Sequence, residues 1–275
     1  MRLTIILLVT ALAATLFSVT SFAPIPYSNK KDTLHNNLFT VGVGAALIGG
    51  LYDGNYPYRL LKQHGNFGLG APDKLDGELV VFQGKVYQTQ YTGKTFVVDD
   101  RNLTPFAMVN FFQPDKKITN GNSISKESLL HFLDSILTNV NGLYAIHISG
   151  KFSYIKTRAF PPVKAHDHTP LASMLHLQHF FEFNNVKGDL IGYRLPSFMD
   201  NTNISGYHFH YLSANKNAGG HIIDVKTDSI TIEIDRLNSY TIHVPSGSEF
   251  EQFDFKKNRE EDIKSVERGE KECEK

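Results

Sequence analysis

Tyr207-His208-Phe209-His210-Tyr211-Leu212 constrains the fold of this chain more than any other stretch. Aromatic residues and leucine dominate it, which favours a strand, and side chains two apart on a strand share one face. His208 and His210 therefore point the same way. Ser213 to Gly220 is rich in turn formers, and His221 to Val225 reads as a returning strand. A hairpin of that kind brings His221 beside the other two. Neutral imidazoles suit zinc, and three protein ligands with an open fourth position are the pattern of a catalytic rather than a structural ion. The same spacing also fits an alternating strand whose histidines face water.

Size and charge narrow the partners. With 275 residues the chain can bury a sizeable core, as one large domain or two small ones. Lys+Arg and Asp+Glu are equal at 28 each, so no surplus charge draws the chain to nucleic acid or an anionic membrane. A small or neutral partner fits better. Twenty Phe and 12 Tyr without a Trp favour β-structure. Cys273, the one cysteine, lies near the end of a charged tail, so no internal disulfide supports the fold.

At the N-terminus, Arg2 precedes an apolar run from Leu3 to Phe17, and small or polar residues lead to Ser21-Phe22-Ala23. This resembles a secretory signal peptide over residues 1–23, and the run is shorter than the ~20 apolar residues a spanning helix needs. The expectation is cleavage near Ala23, a secreted or periplasmic location and no stable membrane association. Pro24, directly after, leaves the exact cut open. Residues 24–37 are polar and without period, a flexible lead-in.

Along the rest of the chain, Tyr58 to His64 reads as a short helix ended by Gly65, and Phe67-Gly-Leu-Gly70 as a turn. Glu78 to Phe82 and Lys85 to Tyr91 form a hairpin about Gln83-Gly84, which puts Glu78 at a strand start, usually a solvated position. Pro105 to Phe112 reads as a strand buried on both faces. Ser125 caps a helix through Leu137, with Leu129, Phe132, Leu133, Ile136 and Leu137 as its apolar stripe. Leu143 to Ile148 and Phe152 to Lys156 are strands around Gly150, and Arg158 precedes prolines that end the ladder. Arg158 is an exposed strand-end cation or a fork aimed at a carboxylate. His166-Asp167-His168 falls in a solvated loop, and His176 and His179 on a helical segment one turn apart. Asn184 to Gly188 reads as a turn, Leu190 to Leu195 and Ser229 to Ile234 as strands. In the charged stretch 256–275, Ile263 and Val266 are the main apolar residues.

Taken in order, Phe67-Gly-Leu-Gly, Leu75-Asp-Gly-Glu78, Thr104-Pro-Phe-Ala, Lys156-Thr-Arg158, Gly206-Tyr-His-Phe-His210 and Gly219-Gly-His221 resemble the acetolactate decarboxylase family. The resemblance spans about Leu38 to Val244. It implies Zn2+ held by His208, His210 and His221, and functional roles for Glu78 and Arg158. A further glutamate near the family's C-terminus reaches the metal, and Glu267 is taken for it over Glu260, Glu261 and Glu270. His166, His168, His176 and His179 are expected to stay outside the site. The implied reaction converts acetolactate, a small-molecule substrate, to acetoin and CO2. The chemistry agrees, because a ketone beside the carbon that loses CO2 accepts its electrons as an enediolate, and a metal acting as Lewis acid stabilises that charge.

Two other classes compete. A three-histidine zinc can activate water for hydrolysis or hydration, and a cupin-like secreted protein can bind metal without chemistry. A glutamate normally follows a cupin HxH within a few residues, whereas Tyr-Leu-Ser-Ala-Asn-Lys follows His210. The expected fold is α+β, with two mixed, largely antiparallel sheets, a few helices and the zinc site in a cleft between them. One sheet domain is expected over 38–158 and another over 159–255, with the tail returning to the site and, as the resemblance implies, a homodimer.

Overall fold

A computed structural model describes residues 35–269. The signal-like segment, nearly all of the lead-in and Cys273 lie outside the described residues.

In chain order the elements are β1 (Asn37–Val41), α1 (Gly44–Ile48), β2 (Tyr56–Pro57), α2 (Tyr58–Leu61), β3 (Phe67–Ala71), β4 (Glu78–Phe82), β5 (Lys85–Thr89), β6 (Thr95–Val97), β7 (Leu103–Thr104), β8 (Phe106–Asn110) and β9 (Lys116–Asn120). There follow α3 (Lys126–Ile136), β10 (Leu143–Ala159), β11 (His179–Leu195), β12 (Gly206–Ser213), β13 (Gly219–Leu237), β14 (Ser239–His243), α4 (Ser248–Glu251) and α5 (Glu260–Arg268).

Two large sheets result, as an α+β chain requires. One has the order β14-β1-β8-β3-β4-β5-β6, antiparallel except for the parallel β1–β14 pair. The other runs β10-β11-β12-β13-β9 and is antiparallel throughout. Because β10 also pairs with β13, strands β10 to β13 close on themselves, and β9 is added at the outside of β13.

Local chemistry explains several elements. Gln83 (φ +52°) and Gly84 (φ +74°) both take positive φ between β4 and β5, as a two-residue hairpin turn with right-handed strand twist requires. The side chain of Ser125 caps α3 by accepting from the Ser128 N–H. Leu129 and Leu133 then face Ile146, Ile148, Ile232 and Ile234 in one buried cluster.

Phe67-Gly-Leu-Gly70 is not a turn but a central strand, β3. Its glycines serve packing, since a Cβ on Gly68 would stand 2.1 Å from the Met108 carbonyl oxygen of β8. Gly150 likewise does not divide two strands: at φ +149° it lies within the 17-residue β10. The expected turn at 184–188 lies inside the equally long β11, held by continuous pairing with β10. His176 falls in a 3₁₀ turn and His179 begins β11, so they do not share a helix face.

The sheets themselves do not part at Arg158. Arg158 is the penultimate residue of β10, and the prolines after it begin a loop leading to β11 in the same sheet. The chain passes between sheets after β8, near residues 110–116, and returns to the first at β14.

The two sheets face each other across a shared core in which Leu69, Val80, Phe82 and Met108 meet Ala145, Ile191, Tyr193 and Leu212. On the far side of the first sheet, Leu79 and Val81 pack with Phe39, Tyr58 and Leu61. The period of two thus turns Glu78, Val80 and Phe82 toward the second sheet. Helix α5 docks on this core through Val266, 2% exposed, and half-buried Ile263. Burial of a valine of this kind contributes about 1.5–3 kcal/mol.

Candidate metal centre

Alternation along β12 gives its two faces different work. Phe209 and Tyr211 enter the cluster under α3, while His208 and His210 face the first sheet. In the β12–β13 hairpin, His210 pairs directly with His221, and on the other side of β13 His221 pairs with Arg158 of β10. Gly220, at φ +126°, permits this closeness, because a Cβ there would stand 2.8 Å from the Arg158 carbonyl oxygen. Glu78 comes from the facing sheet and Glu267 from α5.

The ring nitrogens converge. His208 Nε2 is 3.2 Å from His210 Nε2 and 3.2 Å from His221 Nδ1. Nitrogens held ~2.0–2.1 Å from one tetrahedral ion stand about 3.3 Å apart, so the spacing fits such an ion. The tautomers agree. His210 Nδ1 donates to the Leu79 carbonyl at 2.7 Å, and His221 Nε2 faces the Glu267 carbonyl at 3.4 Å. A carbonyl only accepts, which leaves His210 Nε2 and His221 Nδ1 with lone pairs directed at the common point. Lone pairs this close repel one another unless a cation or proton lies between them.

Both carboxylates stand beside this point. Glu78 Oε2 is 3.4 Å from His210 Nε2, and Glu267 Oε2 is 3.8 Å from His221 Nε2 and 4.0 Å from His208 Nε2. Arg158, 3% exposed, places Nη1 3.5 Å from Glu78 Oε1 and donates from Nη2 to the Val266 carbonyl at 3.1 Å. Its Nε is buried without a hydrogen-bond partner among the described residues. Glu78, Arg158 and the histidines are thus neither the solvated strand ends nor the water-facing row that spacing alone allowed.

Burial sets the electrostatics. It holds all three imidazoles neutral, with His210 pushed down to about 3, and the Arg158 charge acts in the same direction. In the metal-free protein, burial lifts Glu78 to about 8 against the opposing pull of Arg158. It lifts Glu267 to about 7, opposed by Arg158 and then Lys126. Lys126 is a contributor with no signature in the sequence: it follows the α3 cap, and Nζ donates to the Ile223 carbonyl at 2.7 Å.

The cavity at this point is small, about 30 Å³, with Leu47, Ile48, Leu75, Phe106 and Phe160 among its apolar walls. It holds about one or two waters. Beyond Glu267, a second cavity of about 540 Å³ opens along α5. His166 and His168 lie elsewhere, in an exposed loop, and His176 and His179 are exposed as well.

Residues 38–257 match the sequence profile of the family described as alpha-acetolactate decarboxylase. The chain belongs to the alpha-acetolactate decarboxylase family. Membership makes it a carboxy-lyase by class. An alpha-acetolactate decarboxylase of Methanosarcina mazei is 34% identical over 251 residues, covering 91% of this chain and 85% of the relative. One from Bacillus licheniformis is 29% identical over 222 residues, covering 81% and 87%. The crystal structure of alpha-acetolactate decarboxylase from Bacillus subtilis strain 168 superposes with a TM-score of 0.81 at 27% identity, over 85% of this chain and 99% of that one.

Proposed function

We propose that the chain decarboxylates 2-acetolactate (2-hydroxy-2-methyl-3-oxobutanoate) to acetoin and CO2. In this reading His208, His210 and His221 hold zinc, and Glu78, Arg158 and Glu267 act on the substrate. The carrying observation is the convergence of three imidazoles, two carboxyl groups and one guanidinium on one buried point. Relatives over most of the chain are named for this reaction, which supports the choice of substrate.

Loss of CO2 from a 2-hydroxy-3-keto acid leaves an electron pair on carbon, and the adjacent ketone takes it up as an enediolate. No organic cofactor is required. A zinc ion, when bound, supplies Lewis acidity toward the oxygens that gain this charge. Arg158 orients the substrate carboxylate: the guanidinium keeps its charge when buried, and its unpartnered Nε leaves donor capacity for an anion. Glu78 delivers the proton that replaces CO2 on carbon and recovers one from solvent in each turnover. Glu267, on the open side of the imidazoles, receives and returns the proton of the substrate hydroxyl. The apolar walls exclude water while charge develops.

The test is acetoin formation by purified protein before and after chelation. Activity should vanish on metal removal and return with added zinc, and His208→Ala should not recover. Acetoin formation that survives complete metal removal would sink this reading.

A further inference from the structure

The cavity at the imidazoles, about 30 Å³, holds about one or two waters and is too small for a five-carbon hydroxy-keto acid. Some part of its wall must give way when such a substrate enters. Two larger cavities adjoin it. Glu267 lines both this cavity and the one of about 540 Å³ along α5, whereas Leu47 lines both this cavity and a groove of about 300 Å³ bordered by α1 and α4.

The two walls differ in what it costs to move them. Leu47 is 6% exposed and packs into the shared core, so displacing it opens apolar surface to water. The Glu267 side chain is 19% exposed and already meets solvent. Its backbone is held on both sides: the Val266 carbonyl accepts from Arg158 Nη2 at 3.1 Å, and the Gly269 carbonyl accepts from Gln178 Nε2 at 2.6 Å. A turn between staggered rotamers moves the carboxyl group and leaves α5 where it is.

Charge separates the two routes further. The groove beside Leu47 presents Asp53 and Glu249, which repel a carboxylate. The cavity along α5 presents Lys256, Lys257, Lys264 and Arg268 against Asp200, Glu260 and Glu267. Lys264 is taken up by Glu260 and Glu261, at 2.7 and 3.0 Å. The ammonium groups of Lys256 and Lys257 have no ion-pair partner among the described residues. Cations on the wall of a concave surface raise the local concentration of an anion and its rate of arrival.

We propose that the cavity along α5 is the route by which the anionic substrate reaches the imidazoles, with Lys256 and Lys257 receiving its carboxylate and the Glu267 side chain turning aside to admit it. This rests on the reading of the chain as an acetolactate decarboxylase. Inside, Arg158 takes over the carboxylate, so the anion passes from exposed ammonium groups to a buried guanidinium. Lys256 and Lys257 do not reach the reacting atoms, and kcat/KM reports them more than kcat does.

The experiment uses the zinc-loaded full chain with Cys273→Ser, which removes the native thiol. A bulky maleimide is attached to Lys257→Cys in one sample and to Glu249→Cys in another. Labelling Lys257→Cys should lower kcat/KM for acetolactate at least about tenfold. It should slow by a similar factor the association of 2-hydroxy-2-methylbutanoate, which lacks the ketone and cannot react, in stopped-flow binding. Labelling Glu249→Cys should change neither. Lys256→Glu with Lys257→Glu should lower kcat/KM at least about tenfold at low ionic strength, with the loss shrinking as salt is added. Lys151→Glu with Lys187→Glu, the same change of charge on β10 and β11, should not. Wild-type kcat/KM in the labelled Lys257→Cys protein, or an equal loss in the labelled Glu249→Cys protein, would overturn the route. A double reversal without effect would remove the two lysines from it. Wild-type protein that forms no acetoin would sink the functional reading and the route together, whereas an active wild type with unaffected variants sinks the route alone.

Discussion

Arg158 lies directly across the β10–β13 ladder from His221, and His221 lies across the hairpin from His210. Three neighbouring strands thereby set a guanidinium and two imidazoles in a row, and residues from the facing sheet and from α5 close around them. Strand register fixes these positions, so changes in side-chain chemistry can be tested without moving the backbone.

Arg158→Lys keeps the charge and discards the planar fork. The lysine cannot both hold the Val266 carbonyl and present two parallel donors to a carboxylate. Turnover is expected to fall at least about 100-fold, of the order lost with one well-placed charge-stabilising donor. Bound zinc and the unfolding midpoint should change little. Steady-state kinetics with metal analysis checks this, and an unchanged kcat would make Arg158 a structural cation.

Glu78→Gln retains shape and burial and removes the proton. Acetoin formation should drop by about 10²–10⁴-fold, the usual range for loss of a general acid or base. Zinc should stay bound, because the three imidazoles remain. A variant with full activity would move proton delivery to another group.

His208→Ala should abolish zinc binding at the buried set and activity together. His208 supplies the nitrogen 3.2 Å from both of the others. Retention of both the ion and acetoin production would contradict the ligand assignment.

The metal-free protein should lose stability as pH rises from 6.5 to 8. Glu78 and Glu267 are held at about 8 and about 7, against the ordinary 4.5, so above pH 4.5 the folded state keeps protons that the unfolded chain has released. Unfolding free energy then falls with rising pH until the folded values are passed. The buried histidines act oppositely, costing stability only as pH falls below about 6.5, where the unfolded chain takes up protons. Above that pH they are neutral in both states, and among these five groups the carboxyls alone set the slope. Urea unfolding should show the decline in metal-free protein and a smaller one in Glu78→Gln. Bound cation should flatten it by lowering both carboxyl values. A metal-free protein more stable at pH 8 than at 6.5 would count against this balance.

Glu267→Gln tests the tail more cleanly than truncation before Lys264. Truncation also removes Val266 from the core and its carbonyl from Arg158, a loss of about 1.5–3 kcal/mol for the valine alone. The point variant leaves both. It should cut kcat at least about tenfold with little change in Tm. Normal turnover would return Glu267 to a packing position.

Much of this site was legible along the chain. Alternation over 207–212 turned His208 and His210 to one face, turn formers from 213 to 220 returned His221 beside them, and the apolar stripe after Ser125 gave α3. These are local matters, decided by the two-residue period, turn chemistry and capping. Phe67-Gly-Leu-Gly70 shows where local reading fails, because its glycines answer the closeness of β8 and only the folded sheet supplies that neighbour. Tertiary structure alone decided that Glu78 and Arg158 are buried and face each other from different sheets, 80 positions apart in sequence. It also drew Asp53 and Glu249 to His166 of a surface loop. The physical reason is common to all of these. A residue's sequence carries its own conformational preference and the face it presents, whereas burial, pKa and ligand sets depend on groups that long-range packing brings within a few ångströms.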